Sequence, residues 1–307
     1  MEASTPVRSL DQAVPGADPR AGATPGATAG ALPNLIIIGA QKCGTSVLHY
    51  YLGLHPEVSM SKPKELNFFI EERNWPRGVE WYRAQFDPNA RVRGEASPNY
   101  SAYPQHQGVP ERMASIVPDA KLIYMVRDPL ERIAAHWVHN YAKRREKGSL
   151  AQTLIHPHTS YVDRSLYAMQ LERFLAHYPQ QQVLVLQQSE LRHQRMETLR
   201  RVFEFLGVDA EFNHPRFEQE RHQTSRKTRA TRLAVRLEKI GRSRRGRMLP
   251  ANFWLVLDDR LPLRRAIKRP DVRASLPAET LERLRADANR LRELTGRDFS
   301  NWKLWEA

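Results

Sequence analysis

The chain has 307 residues, 41% of them hydrophobic and 27% charged, an ordinary globular balance that suits one large α/β domain or two small ones. Its net charge of +14, from 48 basic and 34 acidic residues, implies an anionic partner such as a nucleotide, an acidic polymer, nucleic acid or a membrane surface. The single cysteine, Cys43, excludes an intramolecular disulfide and a cysteine zinc cluster, and without a signal-peptide pattern or an apolar run of about 20 residues the expected location is cytoplasmic.

The N-terminal part of the chain predicts a tail, a strand and a helix in that order. Residues 1–31 are rich in Ala, Pro, Gly and Thr without apolar periodicity, which predicts a disordered tail. The segment "NLIIIG" (Asn34–Gly39) is apolar on both faces, as in a buried parallel strand. After Gly44, apolar residues recur at helical spacing, and a helix is expected there. The ordered domain is therefore expected over residues 32–307.

Further along, apolar strands alternate with helical patterns. "KLIYMVRDP" (Lys121–Pro129) and "QQVLVLQQSEL" (residues 181–191) predict two more buried strands, and helices are expected after the first and across Val162–Pro179. Strands separated by helices imply crossover connections and a parallel sheet. We therefore expect a single α/β domain of the P-loop-like type, with a central parallel sheet flanked by helices and ligands at the carboxyl ends of the strands.

The C-terminal third begins with a strongly basic stretch. Residues 221–250 carry eleven Lys and Arg residues and one acid, Glu238. Such a composition is typical of a solvent-exposed segment on the surface of the domain. The final stretch predicts an amphipathic helix that ends at Gly296, followed by a Trp-rich tail that docks on the core.

The segment "GAQKCGTS" (Gly39–Ser46) lies between the first strand and the first helix. It has the glycine spacing of a P-loop, yet the position after its second glycine holds Thr45, and Lys42 lies inside the loop. Converging backbone N–H groups at a helix N-terminus predict a phosphate- or sulfate-binding loop; the alternative is a plain strand-to-helix turn. The strand "LIYMV" ends in Arg127, where a Mg²⁺-dependent enzyme needs an acid, so no metal is expected.

Four ordered segments, "GAQKCGTSVL", "SKPKELNFF", "GEASPNY" and "YMVRDPLERIAAHW", resemble motifs of the sulfotransferases that use 3′-phosphoadenosine 5′-phosphosulfate (PAPS). The similarity is closest to the heparan-sulfate-type and related bacterial branch. It is strong over residues 35–141 and looser through "SLYAMQLERFL" and "LTGRDFSNW". The resemblance implies transfer of a sulfuryl group from PAPS to a hydroxyl or amine of an acceptor, a carbohydrate or a small metabolite, with release of 3′,5′-ADP and no nucleic acid or membrane partner.

The resemblance also implies roles for individual residues. Lys42 would stabilise the leaving oxygen of the 5′-phosphosulfate, and Arg127 would bind the 3′-phosphate. The loop that holds the phosphosulfate would consist of Cys43, Gly44, Thr45 and Ser46. The family usually has a serine eight residues after the arginine; here that residue is Ala135, so part of the 3′-phosphate site must come from elsewhere. Arg226 and Lys227 of the basic stretch are the expected replacement.

On the acceptor side, the resemblance assigns Glu95 as the general base, because a neutral hydroxyl is a weak nucleophile. Lys64, Glu65 and His136 would line the acceptor cleft. The alternative for Glu95 is a salt-bridge partner at a strand end, and one of the histidines could be the base instead.

Several alternatives stay open at this point. Arg127 could pair with Asp128 or Glu131, and Asp128 is expected to organise the turn. The whole chain could instead be a P-loop nucleotide kinase with a displaced lysine, or a non-catalytic binder of anionic polymers. No His pattern of a zinc site is present, and the sequence does not determine the oligomeric state.

Overall fold

The computed structural model describes residues 30–156, 158–219, 228–230 and 264–306. At its centre is a five-stranded parallel sheet in the order β2-β3-β1-β4-β5. The strands are β1 Leu35–Gly39, β2 Val58–Met60, β3 Val92–Ala96, β4 Lys121–Val126 and β5 Val183–Gln187. The predicted single parallel α/β sheet is confirmed, with β1 fully buried between its neighbours.

The helices before β5 connect successive strands, as parallel pairing requires, and three more follow β5. They are α1 Thr45–Leu52, α2 Gly78–Arg83, α3 Val109–Ile116, α4 Pro129–Ala142, α5 Leu150–Leu154, α6 Ser160–Asp163, α7 Tyr167–Leu175, α8 Gln188–His193, α9 Arg195–Leu206 and α10 Ala278–Thr295. A short antiparallel pair, β6 Thr228–Ala230 and β7 Arg264–Ala266, lies outside this sheet.

The helices predicted after Gly44, after the RDP turn and before Gly296 are confirmed. The helix predicted over Val162–Pro179 is shorter in the structure. A break at residues 164–166 separates α6 from α7, and there the Ser165 N–H donates to the Val162 carbonyl at 2.7 Å.

The C-terminal segment docks on the sheet, as predicted. Trp302 and Leu304 are buried, and the Trp302 Nε1–H donates to Gln187 Oε1 at 3.0 Å. The predicted tail lies outside the described residues up to position 29, and so does all of the basic stretch except residues 228–230. None of the described helices has the length and apolar character needed to span a bilayer.

Candidate active site

The glycine loop joins the end of β1 to the start of α1. Gly44 has φ +97°, a left-handed conformation that disfavours any side chain, and its carbonyl accepts the N–H groups of Val47 and Leu48 at 2.9 and 3.1 Å. No acceptor within the described part of the chain takes the N–H groups of Gly44, Thr45 and Ser46. These three donors, at the positive end of α1, suit a tetrahedral anion.

A cavity of about 810 Å³ opens from this loop across the carboxyl ends of the strands. Its walls include residues that follow β1, β3, β4 and β5, such as Ser46, Asn99, Arg127 and Gln188. The ionic residues among the described lining are six basic ones and one acid, namely Lys42, Arg73, Arg127, Lys143, Arg145, Arg164 and Glu65. The charge of the cleft therefore suits an anion. The cleft lies at the carboxyl ends of the strands, where the sequence predicted that ligands bind.

Arg127 lies at the end of β4 and lines the cavity with 18% of its side chain exposed. Its Nη2 donates to Glu131 Oε2 at 2.7 Å. Glu131 also accepts bonds from Arg269 and, at 3.2 Å, from Lys303 Nζ. These three cations lower the pKa of the Glu131 carboxyl against the effect of its burial. Arg127 therefore pairs with Glu131 and also lines the cleft.

Asp128 organises the turn after β4, as predicted. Its carboxylate accepts the N–H of Glu131 at 2.7 Å, which caps α4, and the N–H of Leu304 at 2.9 Å. Ala135, at the position of the missing serine, is buried at 1% exposure.

The structure bears on one of two further predictions about donor contacts, and the other lies outside the described residues. Cys43 is fully buried; its Sγ lies 3.5 Å from Tyr167 Oη, and its N–H already donates to the Ala40 carbonyl at 3.1 Å. Cys43 therefore has neither a side chain nor an amide available to the anion, and its assignment as a donor contact is wrong. Arg226 and Lys227 lie outside the described residues.

The surroundings of Glu95 do not favour its predicted role as general base, which stays a prediction. Glu95 is fully buried in β3 and does not line the cavity. Its carboxylate accepts hydrogen bonds from Ser97 Oγ at 2.5 Å, Tyr82 Oη at 2.6 Å and Tyr100 Oη at 2.7 Å. Burial raises the pKa of the Glu95 carboxyl, and the hydroxyl donors oppose that rise. The carboxylate thus has three protein hydroxyls as hydrogen-bond donors, and Glu95 would have to change partners to take a proton from an acceptor.

These four residues, which we call the Glu95 cluster, anchor the loop that carries Glu65. The backbone amide of Leu66 lies near the Glu95 carboxylate and lowers its pKa. The next two N–H groups, of Asn67 and Phe68, donate to the hydroxyls of Ser97 and Tyr100, both at 2.9 Å. Two consecutive amides of this loop are thereby bound to hydroxyls that donate to one buried carboxylate.

Glu65, unlike Glu95, lies in the cleft. Its side chain is 45% exposed, and it is the only acid among the described lining residues. Lys64 Nζ donates to Glu65 Oε1 at 3.1 Å and to Thr45 Oγ1 at 3.4 Å, which ties this acid to the anion loop. The predicted acceptor-side residues Lys64 and Glu65 are therefore brought next to the predicted donor-side residue Thr45.

His136 also lines the cavity but is only 5% exposed. Burial and the positive charges of Arg132, Arg164 and Lys42 lower its pKa well below the ordinary value. A neutral imidazole with so low a pKa is a poor proton acceptor, which argues against this histidine as the base.

Besides His139, which the sequence suggested as a residue of the acceptor cleft or the surface, the cleft contains polar residues that sequence reasoning missed. The missed residues are Arg73, Asn99, Gln105, Asn140, Lys143, Arg145, Arg164 and Gln188. Asn140 follows His136 by about one helical turn on α4, a spacing that could have indicated it. Arg73, Gln105 and Arg164 come from separate loops, and no local pattern marks them. No cluster of three or more metal-ligand side chains occurs within the described ranges.

Comparisons with known proteins agree on the family. The family model described as "Sulfotransferase domain" matches residues 32–247, more than half of the chain. The human bifunctional heparan sulfate N-deacetylase/N-sulfotransferase 2 is 29% identical over 208 residues, 60% of this chain and 23% of that protein. The Caenorhabditis elegans N-deacetylase/N-sulfotransferase 1 is 31% identical over 176 residues, 52% of this chain and 20% of that protein. The chain thus spans less than a quarter of these relatives.

Among solved structures, a sulfotransferase from Alicyclobacillus acidocaldarius superposes with a TM-score of 0.62 at 26% identity, covering 89% of this chain and 99% of that one. This likeness extends over nearly the whole of that neighbour, beyond the four motifs of the cleft. The family match, the sheet order and the anion loop all agree with the resemblance seen in the sequence, and the chain belongs to the sulfotransferase family.

Proposed function

We propose that this protein transfers a sulfuryl group from PAPS to a hydroxyl or amine of an acceptor, a carbohydrate or a small metabolite, and releases 3′,5′-ADP. One observation carries the proposal: a single cation-lined cavity joins the anion loop to Glu65. Donor and acceptor can therefore meet in one space, which is the main requirement of an in-line transfer.

The donor end of the cleft suits the two anionic ends of PAPS. The amides of Gly44, Thr45 and Ser46 would hold the phosphosulfate, with Lys42 beside them in the loop. Lys42 would stabilise the negative charge on the bridging oxygen as the sulfur–oxygen bond breaks. Arg127 would bind the 3′-phosphate, which its planar guanidinium suits. Arg269 shares Glu131 with Arg127, so it is near enough to add a second cation to the 3′-phosphate site, where Ala135 offers no hydroxyl.

At the acceptor end we assign the general base to Glu65. As the acceptor oxygen or nitrogen bonds to sulfur, it must lose its proton, and Glu65 is the only acid in the described lining. Lys64 contacts both Glu65 and Thr45, so it keeps the base close to the transferred group. His136 and Asn99 would contact the acceptor, as neutral polar groups of the same wall.

The cation-rich lining also supports charge neutralisation by side chains, without a metal. The relatives named as N-sulfotransferases support an amine on a carbohydrate as one acceptor. A cytoplasmic location stays a prediction from the sequence.

Binding of 3′,5′-ADP tests the proposal against the kinase alternative. Calorimetry in EDTA should show 3′,5′-ADP binding at least about tenfold more tightly than ATP, because the cleft presents cations in place of a magnesium site. Lys42→Ala should lower the rate of transfer from radiolabelled PAPS by about 10²- to 10³-fold. Lys62, exposed and outside the cavity lining, provides the control variant Lys62→Ala. Tighter ATP binding that requires Mg²⁺ would overturn the proposal.

A further inference from the structure

Arg132 is a fully buried cation behind the cleft. It lies on α4, its exposure is 0%, and it is not among the residues that line the main cavity. Its guanidinium contacts residues of the anion loop and of the segment where α6 ends and α7 begins. Any part that Arg132 has in function is therefore exercised through these neighbours.

The partners of Arg132 are all neutral. Its Nε donates to Ser165 Oγ at 2.5 Å, and its Nη2 donates to the Tyr161 carbonyl. Its Nη1 lies 3.5 Å from the Gln41 carbonyl oxygen and from His136 Nδ1. No carboxylate is among its hydrogen-bond partners in the described ranges. A buried ion without a counter-charge destabilises a fold, and an apolar side chain in its place is often neutral or stabilising, so stability of the core does not explain this charge.

The break between α6 and α7 fixes the orientation of the guanidinium. In a continuous α-helix the Tyr161 carbonyl would accept the N–H of Ser165, four residues later. Here the Ser165 N–H donates to the Val162 carbonyl instead. The Tyr161 carbonyl accepts Nη2 of Arg132 and, at 2.9 Å, the hydroxyl of Ser165. Two groups of this break therefore hold the side chain of Arg132 in place.

The Nη1 of Arg132 reaches the peptide that precedes Lys42. The Gln41–Lys42 bond is trans, so its carbonyl and its N–H point in opposite directions, and the N–H points away from Arg132. Lys42 has φ +74°, a left-handed conformation that a residue with a side chain keeps only when its surroundings hold it. Lys42 lines the cleft. Arg132 thus contacts the peptide that sets the direction of Lys42.

The charge of Arg132 also acts on the anion loop. Burial raises the pKa of the Cys43 thiol, and Arg132 opposes that rise. Burial lowers the pKa of His136, and Arg132 and Lys42 lower it further. Because such a charge is weakly screened in the protein interior, an anion on the loop would be attracted by it. That anion would be the counter-charge which the hydrogen-bond partners of Arg132 do not supply.

We propose that Arg132 is a positioning residue of the anion loop, which holds the Gln41–Lys42 peptide from behind and balances the charge of the bound 5′-phosphosulfate. The inference rests on the proposed function, because it needs PAPS or its product at the loop. It goes further in assigning part of the strength of that contact to a residue that does not line the cleft.

The test measures how much the 5′-phosphate contributes to binding. Calorimetry on the full chain gives the dissociation constants of 3′,5′-ADP and adenosine 3′-monophosphate, which differ only in the phosphate that the loop would hold. Wild type should bind 3′,5′-ADP at least about 100-fold more tightly, because several charge-assisted hydrogen bonds are gained. Arg132→Met should reduce this ratio by about 10- to 100-fold and change the affinity for adenosine 3′-monophosphate by less than about twofold.

Two further variants accompany Arg132→Met. Arg132→Lys keeps the charge but not the planar guanidinium, so it should reduce the ratio by about 3- to 10-fold, and it serves where the methionine variant does not fold. The control is Arg93→Met. Arg93 is partly buried at the start of β3, away from the cleft, and donates to the carbonyls of Leu32 at 2.9 Å and Ala90 at 2.7 Å. This change removes a charge and carbonyl contacts of the same kind, and it should leave the ratio unchanged.

The outcomes separate the two proposals. If wild type does not bind 3′,5′-ADP, the proposed function fails and this inference fails with it. If wild type binds 3′,5′-ADP and the ratio is unchanged in Arg132→Met, or in Arg132→Lys where the methionine variant is unfolded, only the present inference is overturned. An equal loss of affinity for both nucleotides would show a merely structural role and would also overturn it, as would wild type binding both nucleotides equally.

Discussion

Two glutamates lie on neighbouring parts of the same sheet edge, and their surroundings differ in almost every respect. Glu65 is 45% exposed in a cation-lined cleft with one lysine partner. Glu95 is fully buried and accepts three hydroxyl hydrogen bonds. Proton transfer needs access to substrate, whereas anchoring a loop needs saturation and burial. Under the proposed function, Glu65 would take the proton of the acceptor and Glu95 would anchor the loop behind it.

The largest expected effect is on turnover at Glu65. Glu65→Gln removes the proton acceptor, and kcat should fall by about 10²- to 10⁴-fold. The free energy of unfolding should change by less than about 1 kcal/mol, because the side chain is half exposed. Steady-state assays with radiolabelled PAPS and urea denaturation measure the two quantities. Glu71→Gln, at a 72% exposed acid outside the cavity lining, is the matched control. An unchanged kcat in Glu65→Gln would show that Glu65 is not the general base.

The next effect is on stability at Glu95. Glu95→Ala leaves three buried hydroxyls without their common acceptor, and the free energy of unfolding should fall by about 2–5 kcal/mol. Glu95→Gln keeps one acceptor oxygen and should lose less. Urea denaturation measures both. A glutamine variant of wild-type stability with a kcat reduced as far as in Glu65→Gln would return the catalytic role to Glu95.

The smallest expected effect is a dependence of stability on pH. Because burial raises the pKa of folded Glu95 above its ordinary value of 4.5, the folded protein holds this proton more tightly than the unfolded chain. The stability that this linkage contributes is fully present below pH 4.5 and is lost as the pH rises through the folded pKa. The difference in unfolding free energy between wild type and Glu95→Gln should therefore shift against wild type as the pH rises. Titrations from pH 4 to 8 measure it, and a constant difference would mean that the pKa is not raised.

The strands that could be predicted are those with long apolar runs. β1, β4 and β5 were visible because both of their faces are buried and their residues are almost all aliphatic. β2 has three residues, and β3 carries Arg93 and Glu95 in its middle. Arg93 is satisfied by the Leu32 carbonyl at 2.9 Å, far away in sequence, so no local pattern could show that β3 is an interior strand.

The donor loop could be predicted because its proposed function depends on local geometry: a strand, a left-handed glycine and a helix N-terminus that follow one another directly in the chain. The general base could not. Both glutamates lie in family-like segments, and the hydroxyls that enclose Glu95 include those of Tyr82 and Tyr100, which only the folded chain brings together. The same holds for Arg164, whose surroundings come from residues about 60 positions away.

The turn after β4 is completed by the other end of the domain, since Asp128 accepts the N–H of Leu304, 176 positions later. Contacts this distant in sequence form late, after the cost of closing a long loop has been met. The strands can pair and the glycine loop can form before then, but the turn that carries Arg127 gains its last hydrogen bond only when residues 302–304 dock. During refolding, the recovery of 3′,5′-ADP binding should therefore follow the burial of Trp302 and not the formation of the sheet.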